Sequence, residues 1–151
     1  MSHIRSNLDI NASPKRVWEV LTDFPLYGEW NPFIRSVEGV CEYGSVLRVR
    51  MELPGFGSSA FKARITRMQP SEELRWKGGL WLPGLFDGEH VFRMKEISST
   101  KVRFVQEEFF AGLLVPFVFP SRQLSIREGF EKMNMALRDR AERVGKNDKK
   151  E

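Results

Sequence analysis

The stretch SRQLSIREGFEKMNMALRDRAERVG, residues 121–145, carries apolar side chains at the spacing of a single helix face. The stripe advances by three or four residues at each step and comprises Ile126, Phe130, Met133, Leu137, Ala141 and Val144. This period is typical of an amphipathic helix packed on a core. Ser121, or Ser125 with Glu128 as a capping box, predicts its start, and Gly145 predicts its end. At about 1.5 Å per residue the helix would be on the order of 36 Å long, enough to cross a sheet.

Upstream of this helix, between residues 33 and 111, the apolar period shortens to two. A short strand is predicted at 33–37, and alternating segments follow at 47–53, 61–66, 74–77, 90–95 and 102–110. Alternation over such lengths, with short turns between, predicts half-buried strands in an antiparallel meander. Residues 3–10 alternate in the same way and predict a first strand.

Two short helices are expected between the first strand and the meander. Ser13 followed by Pro14 is typical of a helix start, and the segment LYGEWNPF predicts a second helix that ends near Asn31. The order of elements predicts an α+β fold, in which a curved antiparallel sheet of six to seven strands wraps around the long C-terminal helix. We expect one domain over residues 1–145 and a disordered basic tail over 146–151.

Composition and charge narrow the classes of function. The net charge is +4, from 24 Lys and Arg against 20 Asp and Glu. A small excess of this kind usually lies on the solvent-exposed surface, so no nucleic-acid partner is expected. The single Cys41 excludes an internal disulfide, and one Cys with two His predicts no metal and no cofactor. Neither a leader peptide nor an apolar run of about 18 residues is found, which predicts a cytoplasmic protein without a transmembrane segment.

Two loops are unusually apolar. In LWLPGLFDGEH, residues 80–90, large apolar groups crowd around Pro83-Gly84 and Asp87-Gly88, and LLVPF at 113–117 has the same character. The loops would cap the core, form the lip of a ligand cavity, or be covered by a second copy or another partner. If the loops form the lip of a cavity, its predicted residues are Trp81, Leu82, Leu85, Phe86, Leu114 and Phe117. The oligomeric state is left as monomer or homodimer.

Polar residues also occur on faces that are otherwise apolar. His90 is in phase with Phe92, while Gln106 and Glu108 are in phase with Phe104. A buried carboxylate or imidazole without a partner is costly and shifts its pKa toward the neutral form. Glu108 is therefore expected to pair with Arg127 or with His90, either as a structural tie or as the group that orients a ligand.

Three segments carry a family resemblance: INASPKRVWEVLTDFPLYGEWNPFI at 10–34, LPGLFDGEHVFRM at 82–94 and FVQEEFFAGLLVPF at 104–117. They resemble the START-like, helix-grip (SRPBCC) superfamily, and within it the bacterial polyketide cyclase/dehydrase-like proteins. The resemblance implies a seven-stranded sheet that grips the C-terminal helix, with a deep cavity between them. Members bind lipids, sterols, polyketides or hormones, and some catalyse aromatic ring closure or dehydration.

The combined expectation is a cavity between sheet and helix that binds a hydrophobic or amphipathic small molecule, such as a lipid, an isoprenoid or a polyketide-like molecule. Its predicted lining is Trp30, Asn31, Met51, Phe61, Trp76, His90, Phe92, Phe104, Gln106, Glu108, Arg127, Phe130 and Asn134. One alternative is a cyclase or dehydratase that uses His90 and Glu108 without a cofactor. The other is an interaction or membrane-surface module acting through loops 80–86 and 113–117.

Overall fold

The computed structural model of the protein describes residues 2–150, with side chains described as far as Arg143. Its strands are β1 Ser2–Ile10, β2 Ile34–Glu38, β3 Val46–Leu53, β4 Gly57–Gln69, β5 Glu73–Leu80, β6 Phe86–Ser98 and β7 Lys101–Ala111. Its helices are α1 Pro14–Thr22, a 3₁₀ turn Phe24–Leu26, α2 Tyr27–Trp30 and α3 Val115–Lys150.

The seven strands form one antiparallel sheet in the order β1-β7-β6-β5-β4-β3-β2. Each strand from β2 to β7 pairs with its neighbour in sequence, and β1 closes the other edge by pairing with β7. Register shifts interrupt the β2–β3, β4–β5 and β6–β7 ladders. Such bulges bend and twist a sheet, so this one curves around α3. The predicted α+β helix-grip architecture is confirmed.

The apolar stripe of α3 faces the concave side of the sheet, as its period predicts. Ile126, Phe130, Met133, Leu137 and Ala141 are all buried, and the ring of Phe33 meets that of Phe130 edge-on at 5.6 Å. The side chain of Val144 lies outside the described part of the chain. Burial of this stripe against β1 and the central strands stabilises the packing of α3 on the concave face of the sheet.

The start of α3 was predicted too late in the chain. The helix begins at Val115 rather than at Ser121 or Ser125, and both Pro116 and Pro120 lie inside it. Pro116 occupies the second position, where a backbone N–H has no helical partner to lose. Pro120 lies further in and gives up one hydrogen bond of the ladder.

The predicted end of α3 also differs from the structure. The helix continues past Gly145 to Lys150. The predicted disordered tail over 146–151 falls on residues whose side chains are not described, and it stays a prediction.

The two short helices pack where they were expected. Ser13 caps α1, its hydroxyl accepting a hydrogen bond from the Arg16 backbone N–H at 3.1 Å. The buried Tyr27 of α2 donates its hydroxyl to the Leu21 carbonyl. Asn31, fully buried, accepts from the backbone N–H groups of Phe33 and Ile34 at 3.0 and 2.8 Å. These bonds fix the entry into β2.

Two structural findings concern the part of the chain that the structure describes. No helix there is both long enough and apolar enough to cross a membrane. No cluster of three or more His, Cys, Asp or Glu side chains is arranged there to hold a metal ion.

Candidate functional site: an apolar cleft with a buried carboxyl

A cleft of about 210 Å³ opens at one end of the sheet, between the sheet and the first third of α3. Its wall is formed by the β3–β4 hairpin, the end of β5, the start of β6 and the end of β7. The lining residues are Met51, Leu53, Phe56, Gly57, Ser58, Ser59, Phe61, Gly78, Gly79, Leu80, Trp81, Phe86, Gly88, Glu108, Phe110, Arg122 and Ile126. Most of these side chains are apolar, as in binding sites for organic molecules.

Glu108 brings the one acidic group in this lining. It lies on β7 directly opposite His90 of β6, facing inward and only 9% exposed. Burial raises the pKa of its carboxyl from 4.5 to about 8, because the charged form loses its hydration. At neutral pH the carboxyl is therefore mostly protonated, and it can donate a hydrogen bond as well as accept one.

Gly88 makes room for this carboxyl. A Cβ atom at position 88 would come within 2.2 Å of Glu108 Oε2 and 3.2 Å of its Cδ. Any side chain there would therefore displace the carboxyl. Gly88 lies within β6, and its lack of a side chain leaves the space that the carboxyl occupies.

His90 lies just beneath Glu108, inside the core. Its ring stacks on Phe92 at 4.4 Å and contacts Phe130 and Trp76 at 5.2 and 5.6 Å between centroids. Burial lowers the pKa of His90 from 6.5 to about 4, although its hydrogen bond to Gln106 acts in the opposite direction. Both members of the His90–Glu108 pair are consequently neutral around pH 7.

A chain of hydrogen bonds fixes the tautomer of His90. Its Nε2 is 2.8 Å from Gln106 Oε1, Gln106 Nε2 donates to Asn134 Oδ1 at 2.7 Å, and Asn134 Nδ2 donates to Ser6 Oγ at 3.2 Å. An amide oxygen only accepts, so His90 Nε2 must carry the proton. The lone pair is then on Nδ1, which is 3.6 Å from Glu108 Oε1. We refer to Ser6, Asn134, Gln106 and His90 as the polar chain.

The structure brings some of the predicted cavity residues together at the cleft. Met51, Phe61, Glu108, Trp81 and Phe86 line it. Phe86 is buried, and its ring centroid lies 5.6 Å from that of Phe110, so it belongs to the cleft wall rather than to an exposed lip. The predicted lip residues outside the lining are Leu82, Leu85, Leu114 and Phe117.

The remaining predicted cavity residues fill the core. Trp76, Phe92, Phe104 and Phe130 are almost completely buried. The Phe92 ring packs against Trp76 and Phe104, and the Phe130 ring packs against His90. His90, Gln106 and Asn134 belong to the polar chain. The open space is therefore shallower than the predicted deep cavity, since aromatic rings occupy its lower part.

Three predicted positions lie away from the cleft. Of the two partners predicted for Glu108, the structure has His90 and not Arg127, whose Nη1 donates to the Arg5 carbonyl at 3.0 Å. Trp30 packs on Tyr27 at 5.2 Å and borders a different depression beside α1. Asn31 caps the entry to β2 as described above.

Several lining residues were missed from the sequence. Phe56 belongs to the Pro54-Gly55-Phe56-Gly57 turn, which lies outside the predicted strands, and Ile126 was assigned to core packing alone. Arg122 places its guanidinium over the Phe56 ring at 4.7 Å. The register that sets Gly88 beside Phe110 and His90 beside Glu108 becomes readable only once β6 and β7 are paired.

Comparisons with known proteins agree with this architecture. The family model described as polyketide cyclase / dehydrase and lipid transport matches residues 1–142. Among solved structures, the Zhui aromatase/cyclase from a Streptomyces species superposes with a TM-score of 0.76 at 19% identity, covering 94% of both chains.

Two further structures share the fold. A START superfamily protein from Mycobacterium smegmatis gives a TM-score of 0.76 at 18% identity over 94% of this chain and 98% of that one. Norcoclaurine synthase from Thalictrum flavum gives 0.73 at 14% over 95% and 96%. No curated protein matches the chain. By its family match over nearly the whole length, the chain belongs to the polyketide cyclase/dehydrase and lipid transport family.

Proposed function

We propose that the cleft binds a small hydrophobic or amphipathic molecule and that Glu108 meets its polar end. The observation that carries this proposal is an apolar wall with a single buried carboxyl in it. Burial of apolar ligand surface in such a wall supplies affinity, while one well-placed polar group supplies orientation. Membership of the family supports a ligand-binding or cyclase role without naming a ligand or substrate.

The size of the cleft limits what is enclosed. A volume of about 210 Å³ corresponds to the liquid volume of about seven water molecules and is smaller than a pocket for a drug-sized ligand. It suits a one- or two-ring molecule, or one end of a longer lipid, isoprenoid or polyketide-like chain. The rest of a longer ligand would leave through the open side, past Trp81.

The protonation state of Glu108 limits the chemistry of the enclosed end. A protonated carboxyl donates to a carbonyl oxygen and accepts from a hydroxyl. A neutral oxygen function on the ligand therefore satisfies Glu108 without placing an unpaired charge in the apolar cleft.

A thermal-shift titration with naphthol tests the binding proposal, with naphthalene as the probe that lacks the hydroxyl. A ligand that binds only the folded protein stabilises it by about 2.7 kcal/mol at a hundredfold excess over Kd. We expect naphthol to raise Tm more than naphthalene does. The variant Ser59→Trp, which places an indole in the cleft, should abolish both responses.

The matched control is Ala60→Trp. Ala60 is the next residue of β4, and it is exposed on the opposite face of the sheet, where it pairs with Arg50. The Ala60→Trp variant should respond to naphthol as the wild type does. Equal responses of the two tryptophan variants would contradict binding in the cleft.

Acid–base chemistry is a second candidate function, favoured by the neutral Glu108 carboxyl above the Nδ1 lone pair of His90. Only Glu108 lines the cleft, so Glu108 would contact the substrate and His90 would act through it. In a dehydration, Glu108 would give its proton to a departing hydroxyl as the C–O bond breaks. The carboxylate so formed would take the proton from the neighbouring carbon, and water and an enone would leave.

The aldol adduct of benzaldehyde and acetone, a β-hydroxy ketone, tests this second candidate. Its dehydration to a conjugated enone is followed by absorbance. Turnover that disappears in Glu108→Gln while the naphthol response remains would support catalysis. A rate equal to that of the uncatalysed reaction would show that the protein does not dehydrate substrates of this class, and ligand binding would stay as the proposed function.

A further inference from the structure

Large apolar side chains protrude from the end of the molecule where the cleft opens. Leu82, on the β5–β6 loop, is 71% exposed, and Leu113 and Phe117, at the start of α3, are 75% and 79% exposed. Trp81 is 62% exposed and also borders the cleft. A group of exposed apolar side chains of this size on one surface marks an interaction site.

The two loops that carry these side chains form one surface. The backbone N–H groups of Leu113 and Leu114 donate to the carbonyls of Gly84 and Leu85 at 3.0 and 2.9 Å. Gly112 lies at φ +137°, and a Cβ atom there would come within 2.4 Å of the Leu85 carbonyl oxygen. This close approach joins the β5–β6 loop to the start of α3. We call Trp81, Leu82, Leu113 and Phe117 the apolar tip.

Basic residues outnumber acidic ones around the apolar tip. The segments 53–62, 77–86 and 112–126, which surround the cleft mouth, contain three basic residues, Lys62, Lys77 and Arg122, and no Asp or Glu. A chain with 20 acidic residues in 151 would on average place about five in segments of this length. Lys62 and Lys77 border one groove together with Trp81 and with one acidic residue, Asp87.

Among the acidic residues that flank these segments, Glu52 is exposed, whereas the others are engaged or buried. Asp87 Oδ2 accepts from the Gly84 backbone N–H at 2.9 Å, and Glu128 pairs with Lys132 at 3.2 Å. Glu108, inside the cleft, is largely neutral at pH 7. The face around the apolar tip is therefore apolar and has more cationic than anionic side chains.

We propose that this face docks on the surface of an anionic lipid bilayer, with the apolar tip inserted among the lipids and the cleft opening toward them. Aromatic and aliphatic side chains surrounded by Lys and Arg are the combination that binds such interfaces. A second copy of this chain fits less well, because a twofold contact through this face would bring the same cations together.

Docking in this orientation has a consequence for ligand exchange. The cleft mouth would meet the bilayer, so an apolar ligand would pass between membrane and cleft without crossing water. The docking itself does not depend on what the cleft binds.

Co-sedimentation of the full chain with vesicles tests the proposal. One set of vesicles is pure phosphatidylcholine, and the other contains phosphatidylglycerol as the anionic lipid. We expect binding to the anionic vesicles that weakens as salt is added, because salt screens surface charges. Tryptophan emission should also shift to shorter wavelength as Trp81 leaves water.

Paired variants separate the apolar and the cationic contributions. The double variant Leu82→Ser, Phe117→Ser should weaken binding by about tenfold or more. Its control is Tyr43→Ser, which should bind as the wild type does, because Tyr43 is 76% exposed near the end of β3 that is far from the cleft. Lys62→Ala and Lys77→Ala should each weaken binding about fivefold.

The charge control is Lys95→Ala, which removes an exposed lysine far from the apolar tip and should bind as the wild type does. Equal effects of tip and control variants would overturn the proposal. So would an absence of binding to anionic vesicles together with a dimer that Phe117→Ser dissociates. No ligand is needed in the assay, so its failure leaves the naphthol experiment unaffected.

Discussion

Replacing Glu108 by glutamine should make the protein more stable at neutral pH, although it removes the one acidic group that lines the cleft. The carboxyl is buried, and its pKa is raised from 4.5 to about 8 by loss of hydration. In the unfolded chain the same group ionises freely near its ordinary pKa. Glutamine keeps the shape and the hydrogen-bonding capacity but cannot ionise.

The size of the effect follows from linkage. A carboxyl whose pKa is higher in the folded state contributes no penalty below about pH 4.5, where both states are protonated. As the pH rises toward 8, the unfolded state releases a proton that the folded state retains, and folding becomes less favourable. At about 1.4 kcal/mol per pKa unit, the penalty is on the order of 3 kcal/mol at pH 7. The Glu108→Gln variant lacks it.

Denaturant unfolding of the wild type and of Glu108→Gln between pH 4.5 and 8.5 measures this difference. The two free energies of unfolding should coincide at the acid end and diverge steadily above pH 5. Glu42→Gln, which alters an exposed glutamate, is the control and should follow the wild type. A stability difference independent of pH, or a variant less stable than the wild type at pH 7, would refute the assignment of a buried, proton-bearing carboxyl.

Three further substitutions probe the same region. Gln106→Leu removes the acceptor that holds His90 as the Nε2–H tautomer, so ¹⁵N NMR of the ring nitrogens should show a mixture of tautomers in place of one; an unchanged spectrum would contradict that role. Gly88→Ala should displace the Glu108 carboxyl rather than the backbone, which predicts a fold of near wild-type Tm with a weakened naphthol response; a full response would mean that the ligand does not meet Glu108. Phe130→Ala empties the centre of the core and should lower the free energy of urea unfolding by about 3–5 kcal/mol, whereas a loss below about 1 kcal/mol would indicate a core that collapses around the gap.

The fold could be predicted because it depends on periodicity. The alternation along β3 to β7 buries its apolar side chains on one face only as strands, and the stripe from Ile126 to Ala141 does so only as a helix. Boundaries were harder: the start of α3 at Val115 depends on Gly112 and on contacts with the β5–β6 loop, which are distant in sequence. Proline is usually a reliable break, but near a helix N-terminus it is tolerated.

The candidate site could be predicted only in part, because a residue on the inward face either lines a space or fills it. Phe61 and Phe92 have the same pattern in sequence, yet Phe61 borders the cleft and Phe92 is core. His90 and Glu108 were identified from polarity on apolar strands, and the structure places them 3.6 Å apart. Of the two partners predicted for Glu108, the structure has His90 and not Arg127; the sequence could not decide between them, because the rotation of α3 relative to β7 is set by packing.

Native mass spectrometry of the purified wild type, Ser59→Trp and Ala60→Trp, with and without added naphthol, tests the central claim most directly. Binding in the cleft predicts one small apolar molecule per chain, either co-purified or as a naphthol adduct, in the wild type and in Ala60→Trp but not in Ser59→Trp. Equal occupancy in all three proteins, or no bound molecule in any of them, would contradict the claim that this cleft is the binding site.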